Sequence, residues 1–367
     1  MPAVSNRLKA PVVFAVVAAG VSSVIAVPAF PSATLESRVA MAEGALRNTS
    51  LTKNFSRLVL VCGHGSHSAN NPYASSLDCG ACGGHAGDVN ARLAAATLND
   101  PEVRKTLMAK GIPIPEDTLF IAGLHDTLSD DVTIFDQRQI PASHAEDVSL
   151  LKKALAKAGA AARQERAVAL GLTVDDPERL ASGVRARGRD ISQVRPEWGL
   201  VNNAALVVAP RSRSAALKLE GRVFLHDYDP EDDPDLKVLT LILCAPVVVA
   251  SWINLQYYAS RVDPLHYGSG DKALHHVVGG IGVMEGNGGD LKTGLPIQSI
   301  HDGGRFLHEP RRLTVVIDAR RISIDRVLAQ QDAVRQLFDH GWIHLVSLEG
   351  KNAYRRHQDG WIKIKLN

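Results

Sequence analysis

Four side chains of the kind that bind soft metal ions lie within one glycine-rich segment of the sequence: His64, His67, Cys79 and Cys82. The segment begins as Cys-Gly-His-Gly-Ser-His at residues 62–67 and ends as Asp-Cys-Gly-Ala-Cys-Gly-Gly at residues 78–84. Zinc takes four ligands from cysteine, histidine and carboxylate side chains. The segment therefore holds enough ligands for half of a zinc site or for a complete one.

Two arrangements of these ligands agree with their spacing. In the first, all four side chains bind one structural zinc ion within the segment. In the second, His64 and Cys79 are two of four ligands, and the other two come from a different segment. No Cys-x-Asp sequence occurs anywhere in the chain. Cys62 stands at the end of the preceding apolar run, and we expect its thiol to pack as a small hydrophobic group.

The apolar run Leu58–Val61 comes directly before this segment and predicts a strand over residues 57–62. Its continuous apolar character is typical of an interior parallel strand that is buried on both faces. A second apolar run at residues 118–123 ends in His125-Asp126. Open α/β folds build their sites at the carboxyl ends of parallel strands. His125-Asp126 could therefore stand beside a metal or transfer protons, although we favour a turn role for Asp126.

Strands that alternate with helices predict an α/β fold with a largely parallel sheet and flanking helices. Helices are predicted near residues 34–47, 84–98, 101–110, 143–170 and 323–339, and a further helix is predicted to run through Trp252 and Tyr258. Further strands are predicted near residues 130–136, 203–209, 220–225, 238–244, 313–318 and 342–348.

A polar stretch at residues 173–196 is the best internal boundary in the sequence. It divides the chain into an apolar amino-terminal segment, a ligand-bearing α/β region and a carboxyl-terminal α/β region, at residues 1–33, 34–195 and 196–367. Within the connector, Arg185, Arg187 and Arg189 are predicted to be solvated. The acidic run from Asp227 to Asp235 contains two prolines, and we interpret it as a solvated loop.

Composition excludes several classes of protein. A net charge of +2 and an aromatic content of 5% give no basis for nucleic-acid binding. Four cysteines in 367 residues do not make a disulfide framework. The glycine-rich run at residues 279–290 lacks the Lys-Ser/Thr pair of a phosphate-binding loop, so no nucleotide cofactor is predicted.

Residues 11–30 are uncharged and mostly apolar, and Arg7 and Lys9 precede them. A basic start followed by an apolar stretch is typical of a signal peptide. The stretch is also nearly long enough to span a bilayer. A buried helix or strand of a larger protein is the third interpretation, and hydrophobic periodicity does not separate the three.

The segment LVLVCGHGSHSANNPYASSLDCGACGG closely resembles the DabA family of inorganic-carbon transporter subunits. The resemblance continues in RPEWGLVNNAALVVAPR, in the long stretch from APVVVASWINLQYY through SRVDPLHYGSGDKALHHVVGG to LPIQSIHDG, and from HEPRRLTVVIDA to the carboxyl end. It covers roughly residues 34–367. The family is in turn similar to the β-class carbonic anhydrases, so the resemblance implies a β-carbonic-anhydrase-like zinc half.

The resemblance implies a particular zinc site. Family members hold Zn2+ with a Cys-x-Asp pair from one strand end and with a later His and Cys, which match His64 and Cys79. The Cys-x-Asp-x-Arg segment lies upstream, in an amino-terminal half that has no counterpart here. We therefore expect the chain to correspond to the carboxyl-terminal portion of the family and to supply two metal ligands but no catalytic residue. Residues 11–30 would then derive from a segment that is buried in family members.

The function implied by the resemblance is CO2 hydration at zinc within an energy-coupled uptake complex. The chain would be a peripheral protein on the cytoplasmic side of the cell inner membrane. Its partners would be the membrane subunit DabB, which resembles proton-conducting antiporter subunits, and a separately encoded amino-terminal half. The alternatives are a stand-alone structural zinc or binding module without catalysis, and a non-functional remnant.

Overall fold

The computed structural model describes the backbone of Phe14–Ala15 and residues 33–69, 85–173, 175–192, 200–278, 282–358 and 360–365. These residues form a mixed α/β structure with a four-stranded sheet, a six-stranded sheet and a two-stranded hairpin. Helices flank the two larger sheets, and parallel strand pairs occur in both.

The four-stranded sheet carries His64, one of the two predicted zinc ligands, at the carboxyl end of one of its strands. Its strands, in spatial order, are β1 (Phe14–Ala15), β2 (Leu58–Gly65), β3 (Leu119–Asp126) and β4 (Val132–Ile134). The first three are parallel, and β4 runs antiparallel to β3. The prediction of an interior parallel strand at residues 57–62 is confirmed, and the strand continues to Gly65.

Helices cover both faces of this sheet. On one face, Val59 and Val61 pack with α1 (Leu35–Asn48), α2 (Asp88–Asn99) and α3 (Pro101–Ala109). On the other face, Leu58 and Leu60 pack against α4 (Ala145–Ala167). Successive side chains of a strand point to opposite faces, so a strand between two helical layers must be apolar throughout. This requirement explains the continuous apolar run in the sequence.

The polar stretch predicted to be a connector contains a helix, α5 (Pro177–Arg189). Asp176 begins it, because its carboxylate accepts hydrogen bonds from the amides of Glu178 and Arg179. Pro177 occupies the first turn, where a missing amide hydrogen costs nothing. The interpretation of Arg185, Arg187 and Arg189 as part of a connector is therefore wrong, whereas Arg185 and Arg189 are exposed to solvent as predicted. Leu180 and Val184 bury one side of the helix.

The six-stranded sheet is mixed. Its strands, in spatial order, are β12 (Gly360–Ile364), β11 (Asn352–His357), β10 (His344–Glu349), β9 (Thr314–Ile317), β5 (Ala205–Val208) and β6 (Val223–His226). The pairs from β10 to β6 are parallel, and the last two pairs at the carboxyl end are antiparallel. Between β6 and β9, β7 (His275–Val278) and β8 (Gly282–Glu285) form the hairpin.

Four of the remaining helices flank the six-stranded sheet: α6 (Lys237–Cys244), α7 (Pro246–Val262), α9 (Arg321–Leu328) and α10 (Asp332–Asp339). The short helix α8 (Pro264–Tyr267) contacts α7. The strand predicted at residues 238–244 is wrong, because this apolar run forms α6. Asp233 initiates α6 by accepting hydrogen bonds from the amides of Val238 and Leu239. Because Asp233 is 5% exposed, the acidic run is not wholly a solvated loop. The single helix predicted over residues 323–339 is two helices.

One stretch of the described residues, Lys237–Val262, is long and apolar enough to cross a membrane, with a mean hydropathy of 2.2. It is interrupted at Ala245, between α6 and α7. Leu239, Ile242 and Val247 within it pack into the core of the six-stranded sheet. A buried helix of this composition passes the same test as a membrane span, so the stretch is weak evidence of a span.

Candidate functional site

The carboxyl ends of β2 and β3 place two histidines side by side. His64 of β2 is in register with His125 of β3, and Gly65 is in register with Asp126. Partners on parallel strands point to the same face of a sheet. By two-residue alternation from Leu60, whose side chain packs with the cluster against α4, both imidazoles lie on the α4 face.

Glycine at residue 63 allows the end of β2 to contact the start of α2. A Cβ atom on Gly63 would lie 2.4 Å from the carbonyl oxygen of Gly87, which is closer than van der Waals contact permits. The Gly87 amide donates a hydrogen bond of 2.9 Å to the carbonyl oxygen of His64. The backbone of His64 is therefore fixed from the α2 side of the sheet.

Cys62 is part of the apolar core rather than of the polar edge. Its side chain packs with Leu60 and Ile121, and 7% of the residue is exposed. Burial raises the pKa of the Cys62 thiol to about 11, because the thiolate is poorly solvated there. The thiol is therefore protonated at neutral pH, and the prediction that it packs as a small hydrophobic group is confirmed.

His125 is held by a carboxylate that is itself held by an arginine. Its Nε2 atom lies 3.0 Å from Oδ1 of Asp130, which adopts a left-handed backbone conformation with φ of 57°. The other carboxylate oxygen of Asp130 accepts a hydrogen bond from Arg166 of α4. The Arg166 guanidinium also donates to the carbonyl oxygen of Leu128 at 3.3 Å. This chain of contacts fixes the orientation of the His125 ring.

Asp126 forms a turn, as the sequence favoured. Its carboxylate accepts hydrogen bonds from the Leu128 amide at 3.1 Å and from the Ser129 hydroxyl at 2.9 Å. His67 is exposed, and its Nδ1 atom lies 3.6 Å from the Asp126 carboxylate, which is too far for a hydrogen bond. His67 is therefore only loosely associated with this edge.

Helix α5 packs against the turn that follows β3, a contact that sequence reasoning missed. Arg185 forms an ion pair of 2.6 Å with Asp131. Gly188 packs so closely on Leu128 that an added Cβ atom would lie 2.2 Å from that side chain. The Gly188 carbonyl oxygen also accepts a 2.7 Å hydrogen bond from the amide of Ala69, four residues after the end of β2.

The second predicted ligand, Cys79, lies outside the described residues, as does Cys82. Within the described part of the chain, no group of three or more His, Cys, Asp or Glu side chains is placed to hold a metal ion. The described half of the pair fits zinc in its chemistry, because His64 is a partly buried imidazole at a fixed strand end. The zinc site with His64 and Cys79 stays a prediction.

Comparison with known proteins identifies what the chain is similar to. The family model described as "Probable inorganic carbon transporter subunit DabA" matches residues 5–343. A protein of that name from Roseiflexus castenholzii is 57% identical over 328 residues, which is 89% of this chain. The proteins of the same name from Chloroflexus aurantiacus and Acidithiobacillus ferrooxidans are 55% and 51% identical over 87% of this chain. No solved structure matches the chain.

The chain spans only part of these relatives. The match covers 39% of the Roseiflexus protein, 38% of the Chloroflexus protein and 39% of the Acidithiobacillus protein. More than half of each relative therefore has no counterpart in this sequence of 367 residues.

Proposed function

The chain belongs to the DabA family of inorganic carbon transporter subunits, and we propose that it acts in inorganic-carbon uptake as the part of the complex that supplies two zinc ligands. The observation that carries the proposal is the 51–57% identity to relatives named as probable subunits of this kind. The match includes the segment with His64 and Cys79, because it spans residues 5–343.

In this proposal His64 and Cys79 bind Zn2+ together with a Cys-x-Asp pair from a different polypeptide segment. The His64 backbone is fixed by the 2.9 Å bond from Gly87, so the imidazole starts from a defined position. An imidazole and a thiolate are both preferred zinc ligands. Zinc, when bound, lowers the pKa of a coordinated water and so supplies a nucleophile for CO2 near neutral pH.

Residues of this chain would shape the surroundings of that site. The hydrogen bond that Asp130 accepts from Nε2 of His125 holds the His125 ring on the same sheet face as His64. Burial keeps the Cys62 thiol protonated, so it does not compete as a ligand. Helix α5 holds the first residues of the ligand-bearing loop through the bond from Ala69 to Gly188.

We further propose that the chain works as a peripheral subunit on the cytoplasmic side of the inner membrane. A membrane subunit such as DabB, resembling proton-conducting antiporters, would supply the energy coupling. The described residues contain only one stretch that passes a length and hydropathy test for a span.

Complementation of a strain that requires high CO2 tests this function. The chain should restore growth in air only when it is co-expressed with a Cys-x-Asp-bearing half and with the membrane subunit. His64→Ala and Cys79→Ala should each abolish the rescue, while the matched His67→Ala and Cys82→Ala variants retain it. Equal loss in all four variants would instead favour the structural zinc alternative. Rescue by the chain alone would contradict the proposal.

A zinc measurement on the purified chain gives an independent test. With two ligands the metal is under-coordinated, so the isolated chain should bind zinc weakly and lose it to a chelator. It should also have no carbonic anhydrase activity. Stoichiometric zinc that survives dialysis against a chelator would contradict the two-ligand arrangement.

A further inference from the structure

A second polar cluster lies between α7 and the segment before β9, on the other side of residue 195 from His64. His308 is 2% exposed, although it is a polar residue. Its Nδ1 atom accepts a 2.9 Å hydrogen bond from the backbone amide of Asn202. In a neutral imidazole one nitrogen accepts and the other carries the hydrogen. The Nε2 atom of His308 must therefore be the donor.

That donor has nothing to bond to among the residues that the structure describes. The Nε2 atom of His308 is fully buried and without an acceptor there, and the Nε atom of Arg261 is in the same condition. A buried donor left unpaired destabilises the folded state, because it has lost its hydrogen bonds to water. Two unpaired donors in one place point to an acceptor that binds there.

The two donors belong to one local cluster. The ring of His308 lies 5.1 Å from the ring of Tyr257, which precedes Arg261 by one turn of α7. The Arg261 guanidinium lies 3.9 Å above the ring of Phe306, two residues before His308. Arg261 also acts electrostatically on His308, since its charge helps to lower the pKa of that imidazole. Helix α7 and the 306–308 segment thus bring both donors to the same place.

The surrounding backbone holds His308 firmly. Asn202 has a left-handed conformation with φ of 59°, and its side-chain oxygen accepts a 2.7 Å hydrogen bond from the amide of Glu309. Arg222 donates to the carbonyl oxygen of Asn202 and to the carboxylate of Glu309. The Glu309 carboxylate is therefore paired with Arg222, and it does not accept a hydrogen bond from Nε2 of His308 or from Nε of Arg261. The donors of His308 and Arg261 are preorganised rather than free to turn toward another group.

The environment favours an anion as the missing acceptor. Burial, Arg222 and Arg261 together lower the pKa of His308 to about 4, so the ring is neutral near pH 7 and keeps its Nε2 hydrogen. Arg261 is only partly buried, so one member of the cluster is exposed to solvent although the two donor atoms are buried. A guanidinium matches the planar, two-oxygen geometry of carboxylate-type anions.

We propose that Arg261 and the Nε2–H group of His308 form a binding site for a small carboxylate-type oxyanion, bicarbonate in the first place. The choice of bicarbonate rests on the proposed function, because bicarbonate is the product of CO2 hydration. The site uses no residue of the zinc-ligand segment. It holds the anion through a charged donor and a neutral donor, against a wall formed by Tyr257 and Phe306.

The test uses the full chain, treated with a chelator and titrated with 13C-labelled bicarbonate at pH 8. The 13C resonance of bicarbonate should broaden and shift in proportion to bound anion. Arg261→Gln should weaken this binding at least tenfold, equivalent to about 1.4 kcal/mol. Arg326→Gln, at an exposed arginine of α9, is the matched control and should bind as the wild type does. Equal binding by the wild type and Arg261→Gln would overturn the site.

A second measurement stays informative if a variant fails to fold. In wild-type chain with 15N-labelled histidine, bicarbonate should shift the Nε2 resonance of His308, and formate should compete with it. If chloride produces the same shift as bicarbonate, or if no histidine resonance moves, the site is refuted.

The two proposals fail independently. His64→Ala and Cys79→Ala should leave bicarbonate binding unchanged, because neither residue is part of the proposed Arg261–His308 site. Loss of complementation in those variants with normal bicarbonate binding would support both proposals. Normal bicarbonate binding without any zinc-dependent complementation would remove the proposed function and leave the anion site standing.

Discussion

Replacement of His308 by Asn should remove a defined part of the pH dependence of stability. An Asn oxygen can accept the hydrogen bond that the Asn202 amide now donates to Nδ1, so the backbone contact is kept while the titrating ring is removed. The pKa of His308 is lowered from 6.5 to about 4 by burial first, then by Arg222 and Arg261, with Glu309 opposing. The folded state therefore strongly favours the neutral ring.

The sign of the effect follows from that direction. Because the pKa is lower in the folded state than in the unfolded state, the unfolded chain binds a proton first as the pH falls. The stability contributed by the neutral ring is complete above pH 6.5 and is lost as the pH falls toward 4. Between pH 7 and pH 5 this loss amounts to about 2 kcal/mol, at 1.36 kcal/mol for each unit of pKa difference.

Urea unfolding in bicarbonate-free buffer at pH 7 and pH 5 measures this loss. Other groups titrate in the same range, so the comparison is between the wild type and His308→Asn. The wild type should lose about 2 kcal/mol more free energy of unfolding than the variant over these two pH units. The cavity left by the smaller side chain lowers the stability of the variant equally at both pH values. An identical pH dependence in the two proteins would refute a buried, neutral His308.

Three further substitutions, with Gly44→Ala as a control, test the packing around the carboxyl ends of β2 and β3 and the start of α6. Gly63→Ala should lower the free energy of unfolding by about 1–3 kcal/mol, because its Cβ would meet the Gly87 carbonyl at 2.4 Å. Gly44→Ala, in open space on α1, should raise it by about 0.5–1 kcal/mol, and urea titration compares the two. Asp130→Asn removes the ion pair to α4 and should cost about 1–3 kcal/mol by the same assay; an unchanged value would contradict that contact. Asp233→Ala should cost about 1–2 kcal/mol and expose α6 amides to hydrogen exchange, whereas unchanged protection would show that the cap is not needed.

The sequence predicted β2 and β3 well because a strand between two helical layers leaves a continuous apolar signature. It also predicted the turn role of Asp126, since a short carboxylate after a strand often bonds the amide two residues on. In contrast, Lys237–Cys244 is equally apolar and was predicted to be a strand. Short apolar runs do not distinguish a strand from a buried helix. The deciding contact, Asp233 to the first amides of α6, becomes visible only in the structure.

Helix α5 was missed for a different reason. Its apolar side consists of little more than Leu180 and Val184, so the hydrophobic period is weak against a background of arginines. The signal that could have found it is Asp176-Pro177, a capping residue followed by a proline in the first turn. His308 gave no signal at all, since its defining contact is with Asn202, 106 residues earlier in the chain.

The two candidate sites are joined by one apolar cluster that crosses the middle of the chain. Leu128 follows Asp126 at the histidine edge and packs with Leu180 and Val184 of α5, and Leu307, the neighbour of His308, packs against the same cluster. Close-packed side chains transmit displacement rather than absorb it. If a bound anion at His308 shifts Leu307, the shift reaches the turn that holds Asp126. Any coupling must be reciprocal, because zinc can change bicarbonate affinity only by the factor by which bicarbonate changes zinc affinity. Bicarbonate titrations of the assembled protein with and without zinc measure that factor, and a value of one would mean that the cluster only holds the fold together.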